Sequence, residues 1–200
     1  KKNNICKILD DNKKNIPVEF KEKLINIHKL SSVNFDFIVI SPGINIEKCG
    51  LTTFLSKNRE KIITDFDIFF LLNRRNIAIT VTGTNGKSTT VKLLYLILKK
   101  VFEDVRLCGN IGNPILNERK INKNTIFVIE ASSYQLEYSR YFSSKYFAVL
   151  NITPDHLERH HSISRYAHAK FSIIKRQSSK DFSFINYQIF ELMKKIINKK

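Results

Sequence analysis

The sequence predicts an α/β fold built on a mostly parallel sheet. Three observations lead there. Short apolar, β-branched runs alternate with helical patterns along the chain. A glycine turn, Thr82-Gly83-Thr84-Asn85-Gly86-Lys87, lies between an apolar run and a helical pattern. A second, Cys108-Gly109-Asn110-Ile111-Gly112-Asn113-Pro114, follows another short strand pattern.

Asn4–Leu9 reads as a short strand ended by the turn cluster Asp10-Asp11-Asn12. Phe35–Ile40 is a near-continuous apolar run, the pattern of a strand buried on both faces, and it stops at the loop Ser41-Pro42-Gly43. Residues 51–61 look helical and polar, Lys61–Thr64 is a strand candidate, and Asp65–Asn73 reads as an amphipathic helix. Asn73-Arg74-Arg75-Asn76 then separates two domains, 1–75 and 76–200. In the second, Ile77–Val81 is a strand and Ser88–Lys100 a helix with apolar residues at Val91, Leu94, Tyr95 and Leu98. Val105–Leu107, Thr125–Glu130, Phe147–Asn151 and Phe182–Asn186 read as further strands, and Ser132–Tyr141 and Ser164–Lys175 as helices.

Composition narrows the function classes. With 42% apolar residues the chain can bury a sizeable core, which argues against disorder. Its longest apolar stretches, such as Phe35–Ile40 and Leu93–Leu98, are too short to span a bilayer, and Lys-Lys-Asn-Asn does not open a signal peptide. A cytoplasmic protein with no membrane partner is expected. Cys6, Cys49 and Cys108 are odd in number and form no C-x-x-C pair, so they read as incidental thiols in a reducing compartment. The net charge of +16 comes mostly from lysine, mixed with many Asn and Ile, a bias that tracks an AT-rich genome. No zinc-finger, RNP-type or KH-type signature accompanies it, so nucleic acid is not the expected partner. A basic surface does attract anionic nucleotides.

The first glycine turn carries the clearest chemistry. Glycines let successive backbone N–H groups turn toward an anion, and the following helix N-terminus adds favourable dipole charge. Lys87 is placed to meet the β/γ-phosphates of a nucleoside triphosphate, and the Ser88 hydroxyl to ligate Mg²⁺. Gly83, Thr84, Asn85, Gly86 and Thr89 complete the expected ATP-binding set. The common G-x-x-x-x-G-K-[ST] pattern is incomplete, because Val81 stands where its first glycine would be. Alone, this loop does not separate a GTPase, a kinase and a ligase.

Other segments do separate them. Val128-Ile129-Glu130-Ala131-Ser132-Ser133-Tyr134-Gln135-Leu136-Glu137 puts a carboxylate at a strand end and hydroxyls at a helix start. Asn151-Ile152-Thr153-Pro154-Asp155-His156-Leu157 does the same with an imidazole, and Ala169-Lys170 lies in the helix beyond. Together with the two glycine turns, in this order and spacing, these segments resemble the Mur ligase family. The Ser-Ser-Tyr-Gln-Leu form is similar to its D-glutamate-adding branch. The diaminopimelate- or lysine-adding branch usually has Ser-Ser-His there, and folylpolyglutamate synthases typically carry Gly-Lys-Gly-Ser in the loop. Leu9-Asp10-Asp11-Asn12 and Ser41-Pro42-Gly43 are similar to the family's uridine-nucleotide-binding segments.

The resemblance implies that 1–75 is the remainder of a Rossmann-like UDP-binding domain and 76–200 the first part of a P-loop-type central domain. The family's C-terminal ligase domain is expected to be missing. It implies an ATP- and Mg²⁺-dependent monomeric ligase of peptidoglycan precursor synthesis. Its substrates would be UDP-N-acetylmuramoyl-L-alanine and D-glutamate, joined through an acyl phosphate. Lys87, Glu130, His156 and Lys170 become the catalytic set. Ser88 and Glu130 become ligands of the Mg²⁺ near the γ-phosphate, and His156 with a carbamylated Lys170 ligands of a second Mg²⁺. Asn110, Ser132 and Gln135 would contact the muramoyl-alanine portion, and Asp10, Asp11, Ser41 and Gly43 would border the uridine diphosphate. His160 and His161 read as surface residues. The chain is expected to be a fragment or degraded gene product that does not complete the reaction alone. The alternatives are a non-catalytic nucleotide-binding remnant, or another ligase of the Mur or folylpolyglutamate-synthase type.

Overall fold

The structure is a computed structural model of the 200-residue chain and describes residues 5–10, 12, 14 and 16–197. The chain divides into two compact units, residues 1–38 with 46–61, and residues 39–45 with 62–200. The helix at 65–72, expected within the first domain, packs within the larger unit.

The smaller unit is made of short local elements. Two 3₁₀ turns, Val18–Lys23 and Ile27–Ser32, precede helix α1 (Thr52–Lys57) and a further turn at Arg59–Lys61. Asn26 caps the second turn by accepting from the His28 N–H at 3.1 Å. The strand expected over Asn4–Leu9 does not form across the described residues 5–9. Ile8 makes one bridge to Leu24, with a backbone bond on either side, and no ladder extends it.

The run at Phe35–Ile40 is also shorter and wetter than expected. Only Ile38–Val39 (β1) is extended in a ladder, with β2 (Ile62–Ile63) as its partner. Phe37 and Val39 are about half exposed while Ile40 is buried, so this run is not covered on both faces. A two-residue partner gives the run little to pair with.

The larger unit is organised by a five-stranded sheet in the order β4-β5-β3-β6-β7, and the registered pairs are all parallel. The strands are β3 (Ile77–Thr82), β4 (Val105–Gly109), β5 (Ile126–Glu130), β6 (Tyr146–Val149) and β7 (Phe182–Ile185). The helices are α2 (Asp65–Leu72), α3 (Lys87–Leu98), α4 (Ser133–Glu137), α5 (Leu157–His160), α6 (Ile163–Phe171) and α7 (Tyr187–Ile197). β5 is buried at every position, as a parallel strand covered on both faces should be.

Alternation along β5 splits the core. Ile126 and Val128 join Val81 and Val91 in one cluster, against which Leu94, Tyr95 and Leu98 of α3 pack. Phe127 and Ile129 join Phe66, Phe69, Leu136, Phe142, Phe147 and Phe171 in the other. The apolar stripe expected on α3 is therefore the stripe that packs.

Two helical expectations shift. The helix expected over Ser132–Tyr141 stops at Glu137. The N–H groups of Arg140, Tyr141 and Phe142 donate to the buried Asp67 carboxylate at 2.8–3.1 Å instead of continuing the helical ladder. The helix expected over Ser164–Lys175 is α6, followed by a 3₁₀ turn at Ile174–Arg176. No helix among the described residues is long and apolar enough to cross a membrane.

Candidate active site

In an open parallel sheet the loops beyond the carboxyl ends of the strands lie together, and ligands bind there. The register places Val81 beside Glu130 and Thr82 beside Val149. The turn after β3, the end of β5 and the segment after β6 therefore share one edge.

The turn after β3 is held from the β6 side. Gly83 has φ 156°, and a Cβ there would meet the Leu150 Cβ at 3.1 Å, so glycine lets the loop pass close to the neighbouring segment. Asn151 then clamps the loop. Its side-chain oxygen accepts from the N–H groups of Thr84 (3.1 Å) and Asn85 (2.8 Å), and its amide donates to the Asn85 carbonyl at 3.0 Å. The Thr84 hydroxyl lies 3.1 Å from the Tyr166 hydroxyl and donates to the Thr153 carbonyl. Lys87 folds back onto its own loop, donating to the carbonyls of Gly83 (2.9 Å) and Thr84 (2.7 Å). Ser88 and Thr89 are exposed on the first turn of α3.

Glu130 is the buried carboxylate of the edge, at 1% exposure. Gly109 (φ 105°) sets its neighbour: a Cβ at Gly109 would lie 2.4 Å from the Glu130 carbonyl oxygen, so only glycine allows this approach. The approach lets Asn110 bond Glu130 twice, through its backbone N–H to the carbonyl (2.9 Å) and through its amide to Oε1 (2.7 Å). Oε2 is buried and has no hydrogen-bond partner. A buried carboxylate oxygen with no donor is costly unless a cation faces it.

An orphaned carboxylate oxygen of this kind fits one position of a Mg²⁺ shell. Among the described residues no three His, Cys, Asp or Glu side chains converge. Mg²⁺ characteristically keeps waters and takes phosphate oxygens beside a few protein ligands.

Lys170 is buried at 1% exposure and donates to the Gly83 carbonyl (2.8 Å) and the Thr82 hydroxyl (3.4 Å). Its ammonium lies 4.6 Å from the centre of the Tyr166 ring. Burial, then the Lys87 charge, pulls its pKa down to about 7, with Asp155 opposing. An amine with that pKa is substantially neutral near pH 7, and the neutral amine is the form that reacts with CO₂.

His156 adopts φ 51° at the start of α5, an uncommon conformation for a residue with a side chain. Its ring packs 4.9 Å from Tyr134 and 6.4 Å from Tyr166, and its Nε2 lies 3.4 Å from Asp155. Tyr166 is thus in contact with Thr84, Lys170 and His156.

The remaining expected residues are placed as follows. Ser132 and Gln135 bond each other in a capping box. The Ser132 hydroxyl accepts from the Gln135 N–H, and the Gln135 oxygen accepts from the Ser132 N–H at 3.0 Å. Ser41 and Gly43 lie on an exposed turn of the larger unit. Asp10 is exposed in the smaller unit, where it accepts from the Asn12 N–H; Asp11 lies outside the described residues. Cys108 is buried, and burial pushes its thiol pKa well up, in keeping with an inert core thiol.

One expectation is overturned. His160 is not a surface residue: it is 2% exposed, with Nε2 3.0 Å from the Ser133 hydroxyl and its ring stacked on Tyr134. Its pKa falls to about 4 through burial first, then the charges of Arg159, His156 and Lys170. The cause is the short helix α5, which turns His160 inward and which the sequence pattern did not reveal. His161 is exposed. Sequence reasoning also gave no role to Asn151, Tyr166 or Arg159. Asn151 opens the Asn151–Leu157 motif, but its clamp partners lie 66 and 67 positions away.

Residues 81–200 match the family model for the Mur ligase middle domain. The chain belongs to the Mur ligase family. Among curated relatives, the UDP-N-acetylmuramoylalanine–D-glutamate ligase of Caldicellulosiruptor saccharolyticus is 41% identical over 152 residues, covering 76% of this chain and 33% of that protein. The ligase of the same name from Clostridioides difficile is 35% identical over 199 residues, covering 96% of this chain and 44% of that one. This Mur ligase chain thus spans less than half the length of either relative. A solved structure, the UDP-N-acetylmuramate:L-alanyl-gamma-D-glutamyl-meso-diaminopimelate ligase of Neisseria meningitides, superposes with a TM-score of 0.54. It shares 17% identity and aligns over 86% of this chain and 58% of its own, a likeness of fold.

Proposed function

We propose that this chain is the nucleotide-binding part of an ATP-dependent ligase that joins D-glutamate to UDP-N-acetylmuramoyl-L-alanine in the cytoplasm. The names of the relatives and the order of the motifs support the substrates. The observation that carries the reading is the buried Glu130 with one unsatisfied oxygen, on the strand beside the phosphate loop. On this reading residues 1–75 belong to the UDP-binding domain and 76–200 to the ATP-binding domain.

Each residue then has a task. A free carboxylate is a poor electrophile, and transfer of the ATP γ-phosphoryl gives it a leaving group. The amine of D-glutamate displaces that phosphate and forms the amide. Gly83, Thr84, Asn85, Gly86 and Thr89 form the phosphate cradle. Lys87 leaves its loop carbonyls to meet the phosphates and offset their charge. Ser88 and Glu130 would hold the Mg²⁺ near the γ-phosphate, and His156 with carbamylated Lys170 would hold a second; bound there, the ions would offset phosphate charge. Carbamylation forms an N–C bond between the neutral Lys170 amine and CO₂ and releases one proton, leaving an anionic carbamate as the ligand. Asn110 holds Glu130 in place, and with Ser132 and Gln135 borders the muramoyl-alanine portion. Asp10, Asp11, Ser41 and Gly43 border the uridine diphosphate.

Thermal unfolding with Mg-ATP and with UDP-N-acetylmuramoyl-L-alanine tests this. A ligand at 100 times its Kd stabilises by about 2.7 kcal/mol, which moves the Tm of a chain this size by roughly 5–10 °C. Lys87→Ala should abolish the Mg-ATP shift and keep the other. No shift with either ligand would defeat the reading.

A further inference from the structure

Arg159 is a charged side chain buried to 8% exposure. Its Nε donates to Glu137 at 2.8 Å, Nη2 to the Ile44 carbonyl at 2.6 Å, and Nη1 to the Gly43 carbonyl at 3.4 Å. The guanidinium lies over the rings of Tyr134 and Tyr138, at 5.3 and 5.5 Å. The three acceptors belong to two elements far apart in sequence, α4 and the turn at 41–44, and all these residues lie in the larger unit.

The turn it holds is exposed. Ser41, Gly43 and Ile44 are open to solvent, the Ile44 N–H closes the turn on the Ser41 carbonyl at 3.0 Å, and a Cβ at Gly43 would meet nothing within 4 Å. Packing does not demand a glycine there. The Gly43 and Ile44 carbonyls are committed to Arg159, so the guanidinium fixes which way the turn presents its free edge. At the other end Glu137 lies 4.0 Å from His160, and His160 bonds Ser133. Arg159 thus ties the 41–44 turn by charge-assisted bonds to Glu137 at the end of α4, the helix that Ser132 caps.

We infer that Arg159 is a positioning residue for the uridine diphosphate: it sets the 41–44 turn for binding and touches neither nucleotide. The inference rests on the proposed role of Ser41 and Gly43. A planar fork with donors at fixed angles serves three acceptors at once, and a lysine ammonium on a flexible stem does not reproduce that geometry. Arg159→Lys keeps the charge and loses the fork.

The test is titration calorimetry of the full chain and of its Arg159→Lys and Arg159→Ala variants with UDP and separately with Mg-ATP. Amide hydrogen exchange at Gly43–Asn45 is followed alongside. The expected result is at least a tenfold weaker Kd for UDP in both variants, a Mg-ATP Kd within twofold of the parent, and faster exchange at Gly43–Asn45. Should the alanine variant fail to fold, the lysine variant carries the same expectation. UDP affinity unchanged in Arg159→Lys overturns the inference alone. Equal loss of both ligands shows a merely structural arginine and overturns it too. A parent chain that binds Mg-ATP but not UDP overturns the uridine reading and this inference with it. A parent that binds neither defeats the proposed function itself.

Discussion

Lys170 and His160 show what burial does to single ionisable groups in this site. Lys170 has a folded pKa of about 7 against an ordinary 10.5. Between those values the unfolded chain binds more protons, so the Lys170 contribution to stability rises with pH across that window and is lost as pH falls toward 7. In CO₂-free buffer, Lys170→Met should flatten that part of the stability profile relative to the parent; identical profiles would contradict the burial argument. His160 behaves likewise at lower pH. Its folded pKa of about 4 lies below the ordinary 6.5, so its contribution holds above 6.5 and is lost as pH falls through 4. His160→Phe, which keeps a ring against Tyr134, should weaken the acid sensitivity of urea unfolding between those values. At this scale the sequence was legible where a motif carries its own context, as at Lys87 and Glu130. Lys170 was reachable only through the resemblance, being one lysine among many. Asn151, Arg159 and His160 were not legible, because their partners are set by tertiary folding, 115 positions away for Arg159 and Ile44.

α4 is short because Asp67 competes for the backbone that would prolong it. Asp67 is fully buried, and it accepts from the N–H groups of Thr64, Arg140, Tyr141 and Phe142 and from the Ser139 hydroxyl. Asp67→Ala strands these donors in the core, and an unsatisfied buried donor costs about 1–3 kcal/mol. The variant should lose on the order of 3–5 kcal/mol in urea unfolding; a loss below about 1 kcal/mol would show that the donors find water. At the other end of α4, Ser132→Ala removes a cap worth about 1 kcal/mol. Element positions in the larger unit were readable from alternation and from the glycine turns. The ends of α4 and the existence of α5 were not, because they depend on Asp67 and on the strained turn at His156. The short β1 fails for a related reason. Apolar content alone does not make a strand, and among the described residues only Ile62–Ile63 pairs with it.

The parallel sheet collects loops from distant parts of the chain along one edge, where the proposed chemistry is placed. Parallel pairing followed from the alternation of strands and helices, but the order β4-β5-β3-β6-β7 did not, because strand order is fixed by long-range packing. That order puts β3 between β5 and β6, so the phosphate loop is flanked by Glu130 on one side and clamped by Asn151 on the other. Gly109→Ala should weaken Mg-ATP binding without touching the phosphate loop, because its Cβ would push the Asn110 segment off Glu130. Unchanged Mg-ATP affinity in a folded Gly109→Ala variant would contradict that coupling.

On the proposed reading, this edge binds a nucleotide together with a divalent cation through Glu130. The most direct test compares ATP binding with Mg²⁺ and with EDTA in the parent chain and in Glu130→Gln, which retains an oxygen for Asn110. The parent should bind ATP at least tenfold more tightly with Mg²⁺, and the variant should lose that gain while still binding ATP. An equal Mg²⁺ gain in parent and variant would remove Glu130 from the cation site.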